Sequence, residues 1–461
     1  MVETFIGRKD ELKKMNAMYK KNKFQMAVVY GRRRIGKTEL INHFIEGKPS
    51  IYFQATESPL KSNLESLSQQ IDEFSGEQDK RSFETFRKAL LKIHELALKS
   101  KDTLVFVIDE YPYLAYADAA VSSVLQEIID HYFLKNPNLM LILCGSSMSF
   151  MENQVLGSKS PLFGRRDAQF KLRPFTIFET REMLANTSSS DILSYHGITG
   201  GIPKYLSFID ENLSVKENIE ELFLDTNGSL FEEPANLLKQ ELRSPYTYNA
   251  VLSAIAHGYS KHNDIESVTG VGTSITSLLN NLIELGIVSK YYSIFDKKGG
   301  RKSLYKMNDG MFRFWYRFVE KNISNIERRR IETSSQKIME ELPQFLGPVF
   351  EEACKDYLWE HYPIDITEMA HWLGNDPVNK TQEEVDIVAV TNECAKGIIA
   401  ECKWRNKENL DLKMIDTLIY RASLVPNILS KELYFFVKEA SEEFVLYAEK
   451  KKVKVVSFDE F

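Results

Sequence analysis

The sequence predicts an α/β multidomain protein in which a parallel sheet covered by helices comes first and a separate, smaller α/β unit comes last. Three observations carry this. From about 25 to 180, short apolar runs (QMAVVY, SIYFQA, TLVFVID, LMLILCG) alternate with helix-length amphipathic stretches, the order of strands joined by helical crossovers. Between about 246 and 308 the pattern changes to short helices followed by IVSKYYSIF, the turn DKKGGRK and SLYKMN, which reads as a β-hairpin. Further on, FLGPVFEEACKDYLWEHY reads as an amphipathic helix, and VDIVAV and KGIIAECKW as two buried strands.

A chain of 461 residues has room for two to four domains. We expect a core at 1–180, a helical segment at 181–243, a helix-and-hairpin module at 244–310, a basic helical stretch at 311–345 and the last unit at 346–461. Apolar residues at 43% and charged residues at 27% suit a globular protein. Lys plus Arg number 59 against 65 Asp plus Glu, a net charge of −6, so nothing draws the whole chain to phosphates or anionic membranes. Any nucleic-acid surface must therefore be local. Cys144, Cys354, Cys394 and Cys402 form no CxxC pair, which argues against structural zinc and a disulfide framework. The first residues lack the apolar core of a signal peptide and no long uncharged apolar run occurs, so the expectation is a cytoplasmic protein with no membrane partner.

The first element with chemistry is GRRRIGKT at 31–38, directly between the strand MAVVY and the helix TELINHF. It fits GxxxxGK[ST], in which Gly31 and Gly36 let backbone N–H groups curl around phosphate oxygens. Lys37 supplies a charge to the β- and γ-phosphates and Thr38 a hydroxyl ligand for Mg²⁺. Arg32, Arg33, Arg34, Ile35 and Glu39 complete the nucleotide-binding segment, and the helix N-terminus adds its dipole. The strand TLVFVID then ends in Asp109 and Glu110. Asp109 is placed to hold Mg²⁺ through water, and Glu110 to orient or deprotonate the attacking water. LMLILCG ends at Ser146 and Ser147, which either contact the γ-phosphate or merely close a strand. SPLFGRR carries Arg165 and Arg166, either surface arginines or guanidinium groups reaching a phosphoryl in the same or a neighbouring subunit.

Together, FIGRKDEL at 5–12, GRRRIGKT, VIDEYPYL, LCGSS, SPLFGRR and TGGIPKYL at 199–206 resemble the archaeal-type ATPases, a family within the STAND group of NTPases related to AAA+ proteins. The likeness covers about the first 240 residues. It implies a P-loop NTPase sheet with a helical lid, ATP and Mg²⁺ as cofactors, and ATP hydrolysis. It further implies Gly7 and Arg8 near the adenine, Pro203 closing the lid over the base, sensing by Ser146 and an arginine finger at Arg165 or Arg166; a finger reaching a neighbouring subunit would go with a homo-oligomer. Lys9 and Asp10 depart from the glutamate that often follows the GR pair.

The middle module has the element order of a winged helix, with Gly270 and Gly272 between its second and third helical stretches. The stretch from Thr273 to Leu285, which would read bases, contains no Lys or Arg, so direct sequence readout looks weak. From Lys290 to Arg330, by contrast, 12 Lys or Arg face four Asp or Glu. Lys297, Lys298, Arg301 and Lys302 at the hairpin tip suit phosphates, DNA above all, unless the module packs intramolecularly with its charges solvated. The aromatic run FRFWYRF at 312–318 reads as core.

In the last unit, Asp386 lies in one apolar strand and Glu401 and Lys403 lie two apart on the next, hence on one side of the sheet. Two carboxylates suit Mg²⁺ and a neighbouring lysine suits water activation in phosphodiester cleavage, with Glu351 or Glu352 as a third acid. A buried ion-pair cluster is the bland alternative. The arrangement resembles the PD-(D/E)XK nuclease superfamily, in the form often fused to archaeal-type ATPases as a domain of unknown function. That likeness implies a restriction-endonuclease-like core with Asp386, Glu401 and Lys403 as its catalytic set. The expected function is an ATPase acting on nucleic acid. The alternative is an ATP-driven signalling or assembly switch with a non-catalytic tail.

Overall fold

The computed structural model describes residues 5–76, 82–296, 304–362 and 365–461. The chain forms two compact units, Met1–Pro174 and Phe175–Phe461.

In the first unit, β1 (Gln25–Tyr30), β2 (Ser50–Gln54), β3 (Leu104–Asp109), β4 (Leu139–Gly145) and β5 (Ala168–Lys171) form one sheet in the order β2-β3-β4-β1-β5. Every pairing in it is parallel. β1, β3 and β4 are buried at every position, as their unbroken apolar runs require of central strands covered on both faces. Each fully buried Val, Ile or Leu contributes about 1.5–3 kcal/mol, so three such strands place the strong part of the fold beneath the segments that follow their carboxyl ends. The edge strand β5 has no counterpart among the sequence expectations. At four residues with one buried side chain, it carries too little apolar signal to be read locally.

The second unit starts with helices Ile177–Met183, Ser189–Thr199, Pro203–Leu206, Val215–Phe223 and Glu233–Glu241, as the pattern at 181–243 predicts. Capping boxes at Thr176/Glu179 and Ser214/Glu217 start two of them. Helices Pro245–Ala256, His262–Thr269 and Ile275–Glu284 follow, then an antiparallel hairpin of β6 (Val288–Tyr291) and β7 (Leu304–Met307). The hairpin-tip cations Lys297, Lys298, Arg301 and Lys302 lie outside the described residues. In FRFWYRF, Phe312, Phe314, Tyr316 and Phe318 are buried.

The boundary expected at 345/346 falls inside one helix, Glu332–His361, which contains Pro343 and Pro348. An interior proline costs about 3 kcal/mol or more through its missing N–H and steric clash. Burial of Ile338, Leu342, Phe345, Leu346, Val349 and Phe350 along the same helix offsets that cost. Next come β8 (Ile366–Asn375), β9 (Gln382–Thr391), β10 (Lys396–Lys403), β11 (Ser430–Val437) and β12 (Val453–Ser457), in the order β12-β11-β10-β9-β8. β8, β9 and β10 pair antiparallel, whereas β10, β11 and β12 are parallel. Helices Lys413–Leu424 and Glu442–Lys450 make the two parallel crossovers. The segment after β6 is tied to the edge strand of this sheet: Ile294 N–H donates to His371 O at 2.8 Å, and Leu373 N–H to Ser293 Oγ at 2.9 Å. Ile294 also joins the core formed by Trp372, Val388 and Phe435.

Candidate functional site

In the first unit the turn between β1 and the helix Lys37–Ile45 brings the GRRRIGKT segment to the carboxyl edge of the sheet. Two glycines make this path. A side chain at Gly31 would meet Leu172 O at 2.9 Å, and Gly36 caps the helix at φ 88°, where an L side chain is strained. Lys37 is buried, and its Nζ donates to Gly31 O at 3.0 Å and Arg32 O at 3.1 Å, so the ammonium lies across the loop. Arg33 Nη2 donates to Tyr113 OH at 2.7 Å. Glu39 is exposed in the first helical turn.

Because β4 lies between β1 and β3, the acidic pair and the serine follow the carboxyl ends of neighbouring strands. Thr38 Oγ1 donates to Asp109 Oδ2 at 3.0 Å. Asp109 Oδ1 accepts the Glu110 N–H at 2.8 Å. Glu110 itself is in the left-handed region, φ 50°, which is strained for a residue with a side chain. Its Oε2 accepts both the N–H of Ser146, at 3.2 Å, and its hydroxyl, at 2.9 Å. Ser147 occupies the N-cap position of the short helix Met148–Phe150 without a side-chain capping bond.

Tyr52 on β2 is a member of this constellation that the sequence reading missed, since a single tyrosine in a strand belongs to no motif. Its hydroxyl donates to Asp109 Oδ2, the oxygen that Thr38 also uses. Burial and the Asp109 charge push the Tyr52 hydroxyl well above its ordinary value, so it remains a donor.

Arg8, expected near the adenine, bonds to the backbone beside the phosphate loop. It is buried, and its Nη2 donates to Ile35 O at 3.1 Å and Arg173 O at 2.6 Å, tying the N-terminal segment to the phosphate loop. Gly7 precedes it at φ 66°. Arg165 grips Asp130 through two bonds, Nε to Oδ1 at 2.8 Å and Nη2 to Oδ2 at 2.7 Å, and also donates to Pro161 O. Arg166 is half-buried, and its charge acts on Tyr30, the residue before Gly31. Pro203 belongs to the second unit, at the first position of the helix Pro203–Leu206.

The C-terminal acids meet across β9 and β10. Lys403 Nζ lies 2.6 Å from Glu401 Oε1 and 3.3 Å from Asp386 Oδ2, and Asp386 Oδ2 also accepts the Cys402 N–H at 2.8 Å. Arg421 joins them from the helix Lys413–Leu424: its Nη1 is 3.3 Å from Glu401 Oε1 and its Nε 2.9 Å from Glu383 Oε2. Arg421 belongs to no sequence motif, and only the packing of that helix on the sheet brings it here. Burial and the Asp386 charge raise the Glu401 carboxyl above its usual range, against Lys403 and Arg421. For Lys403, burial is outweighed by Asp386 and Glu401, which hold its ammonium above the usual value. Glu351 is pushed up to about 7 by burial and by Asp386. Glu352 is engaged elsewhere, 3.2 Å from Lys306 and 2.9 Å from Lys355.

Thr38 hydroxyl and Asp109 carboxylate, with Glu110 beside them, are hard oxygen donors of the kind Mg²⁺ takes. In the C-terminal site Glu401 Oε2 is buried without a hydrogen-bond partner, which leaves one carboxylate oxygen open to a cation. Among the described residues, however, no group of three His, Cys, Asp or Glu is arranged to hold a metal ion. Of the acids expected to hold a cation, Asp386 and Glu401 are each ion-paired with Lys403, and Glu401 also with Arg421.

Residues 5–209 match the family model of an ATPase domain predominantly from Archaea, and residues 315–415 that of archaeal and bacterial proteins of unknown function. An uncharacterized protein of Methanocaldococcus jannaschii is 29% identical over 439 residues, covering 94% of this chain and 95% of the relative. An uncharacterized ATP-binding protein of the same organism is 46% identical over 44 residues, 10% of this chain and 75% of that protein. Among solved structures, a Walker-type ATPase of Pyrococcus abyssi superposes with a TM-score of 0.52 at 20% identity, covering 68% of this chain and 97% of that one. Among the described residues no helix is long and apolar enough to cross a membrane.

Proposed function

We propose that this chain, which carries an archaeal-type ATPase domain over residues 5–209, binds and hydrolyses ATP at the Gly31–Thr38 loop and uses the resulting switch to act on nucleic acid. The observation that carries the ATP half is the Thr38–Asp109 hydrogen bond at 3.0 Å, which joins the phosphate loop to the acidic strand end. In this reading Lys37 and the loop N–H groups bind the β- and γ-phosphates, and Thr38 and Asp109 hold a magnesium ion. The ion supplies charge neutralisation to the phosphates. Glu110 orients the attacking water, its carboxylate held by Ser146. Arg166 rather than Arg165 is the finger, because Arg165 is committed to Asp130.

For the second unit we read 244–310 as a winged helix and 346–461 as a nuclease-like domain with Asp386, Glu401 and Lys403 as its working residues. Supporting this are the open Glu401 oxygen and a groove of about 640 Å³ one residue past Lys403, lined by Trp404, Arg405, Asn406, Asn409 and Lys438 with no acid among them. A second reading, an ATP-driven switch with a non-catalytic tail, is favoured by the ion-paired state of the same acids and by the anchoring of Ile294 in the C-terminal core. One experiment separates them. Wild type, Lys37→Ala and Asp386→Ala are compared for ATP hydrolysis and for magnesium-dependent cleavage of one panel of DNA and RNA. Loss of hydrolysis in Lys37→Ala alone, with loss of cleavage in Asp386→Ala, supports the proposal. Hydrolysis that survives Lys37→Ala refutes the nucleotide site, and wild type that cleaves nothing leaves the switch.

A further inference from the structure

Asp109 is almost completely buried, at 1% exposure, and its Oδ2 accepts two hydroxyl donors from two directions, Thr38 on the phosphate loop and Tyr52 on β2. Tyr52 reaches it because β2 pairs in parallel with β3, placing Gln54 opposite Asp109 and Tyr52 two residues before. The two donors have different freedom. Thr38 sits in the first turn of the helix that follows the loop, where its hydroxyl serves either Asp109 or a cation. Tyr52 is partly buried on a strand of the sheet and reaches Asp109 through a rigid ring on two torsions, so its hydroxyl has little freedom to leave the carboxylate. If Oδ2 lost both hydroxyl donors, the Glu110 N–H would still hold Oδ1, but the buried Oδ2 would pay its desolvation or the carboxylate would rotate toward another partner.

We propose that Tyr52 is a positioning residue for the cation site: it holds the Asp109 carboxylate in place when Thr38 turns its hydroxyl from Asp109 to the divalent cation accompanying the nucleotide. This rests on the nucleotide-site reading above. It assigns no contact of Tyr52 with nucleotide, so its effect should appear in the dependence on magnesium and not in nucleotide affinity as such.

The test is an equilibrium titration of the full chain with a fluorescent ATP analogue, first in EDTA and then over a magnesium series, for wild type, Tyr52→Phe, Asp109→Asn and the double variant. Tyr52→Phe is expected to raise the magnesium midpoint at least fivefold and to leave affinity in EDTA within twofold. In the Asp109→Asn background the same change should have no further effect on the midpoint, since the tyrosine acts through that carboxylate. An unchanged midpoint, or an undiminished effect in the double variant, overturns the inference. A ligand-free thermal midpoint that collapses in Tyr52→Phe also overturns it and assigns the hydroxyl to the fold. Wild type that binds no nucleotide under either condition refutes the nucleotide site itself, an outcome distinct from all of these.

Discussion

Ser146 donates both its N–H and its hydroxyl to one oxygen of Glu110, at 3.2 and 2.9 Å, and so fixes a carboxylate whose own backbone is held in the left-handed region. The pair joins the ends of β4 and β3 and fixes the position of the Glu110 carboxylate.

A hydrogen bond to a charged group is worth about 1.5–3 kcal/mol. Ser146→Ala removes one of the two and leaves the N–H. The expected result is a fall in kcat of about tenfold with KM for ATP nearly constant, and Glu110→Gln should abolish turnover while nucleotide still binds. Steady-state hydrolysis over an ATP series checks both. A Ser146→Ala variant with wild-type kcat would show that the serine only closes a strand.

Arg165 and Asp130 form a two-bonded ion pair whose side chains are 23% and 35% exposed. Solvent screening limits such a pair to about 1 kcal/mol. Arg165→Ala and Asp130→Ala should each lower the thermal midpoint by a few degrees, with the double variant no worse than either, and leave kcat within threefold. Arg166→Ala should instead lower kcat by at least tenfold. A large loss of turnover in Arg165→Ala alone would move the finger back to Arg165.

Arg421 neutralises Glu401 and Glu383 inside the C-terminal cluster. Removing one partner from a buried charge network costs about 3–5 kcal/mol when the remaining charge stays uncompensated, and Lys403 remains here to share Glu401. The expected cost of Arg421→Ala is therefore about 2 kcal/mol, readable by denaturant unfolding, with Glu401→Gln in the same background restoring part of it. Full stability in Arg421→Ala would mean the guanidinium is merely solvated.

Glu351 is pushed up to about 7 by burial and the Asp386 charge, from an ordinary carboxyl value of 4.5. The folded protein thus favours the neutral acid. Its stabilising share is complete below the ordinary value and is lost as pH rises toward 7. The difference amounts to about 3 kcal/mol when both forms are ionised. Melts in EDTA should show Glu351→Gln close to wild type at pH 5 and more stable than wild type at pH 8. Asp356, raised to about 7 by burial, keeps part of the slope in the variant. Equal pH profiles for the two proteins would contradict this.

Much of the fold was legible along the chain. β1, β3 and β4 are long, wholly apolar runs, and such runs encode buried parallel strands without help from distant residues. The short, half-polar β5 gave no such signal, and the helix Glu332–His361 runs through Pro343 and Pro348 where local rules predict a break. In the candidate sites, Gly31, Lys37 and Thr38 stand within one eight-residue string because a single loop must wrap one phosphate group. Tyr52 and Arg421 carried no comparable mark, since their importance lies in partners 57 and 20 residues away.

By itself the sequence determined the α/β class, the order of elements and the presence of a glycine-lysine loop ahead of an acidic strand end, because periodicity and turn chemistry act over a few residues. Only the tertiary structure decided which charges meet. Strand order seats Tyr52 and Thr38 on the same oxygen of Asp109, and helix packing brings Arg421 to Glu401. The physical reason is that a side chain's electrostatic partners are set by sheet register and helix docking, which depend on the summed burial of the whole core rather than on any neighbour in sequence.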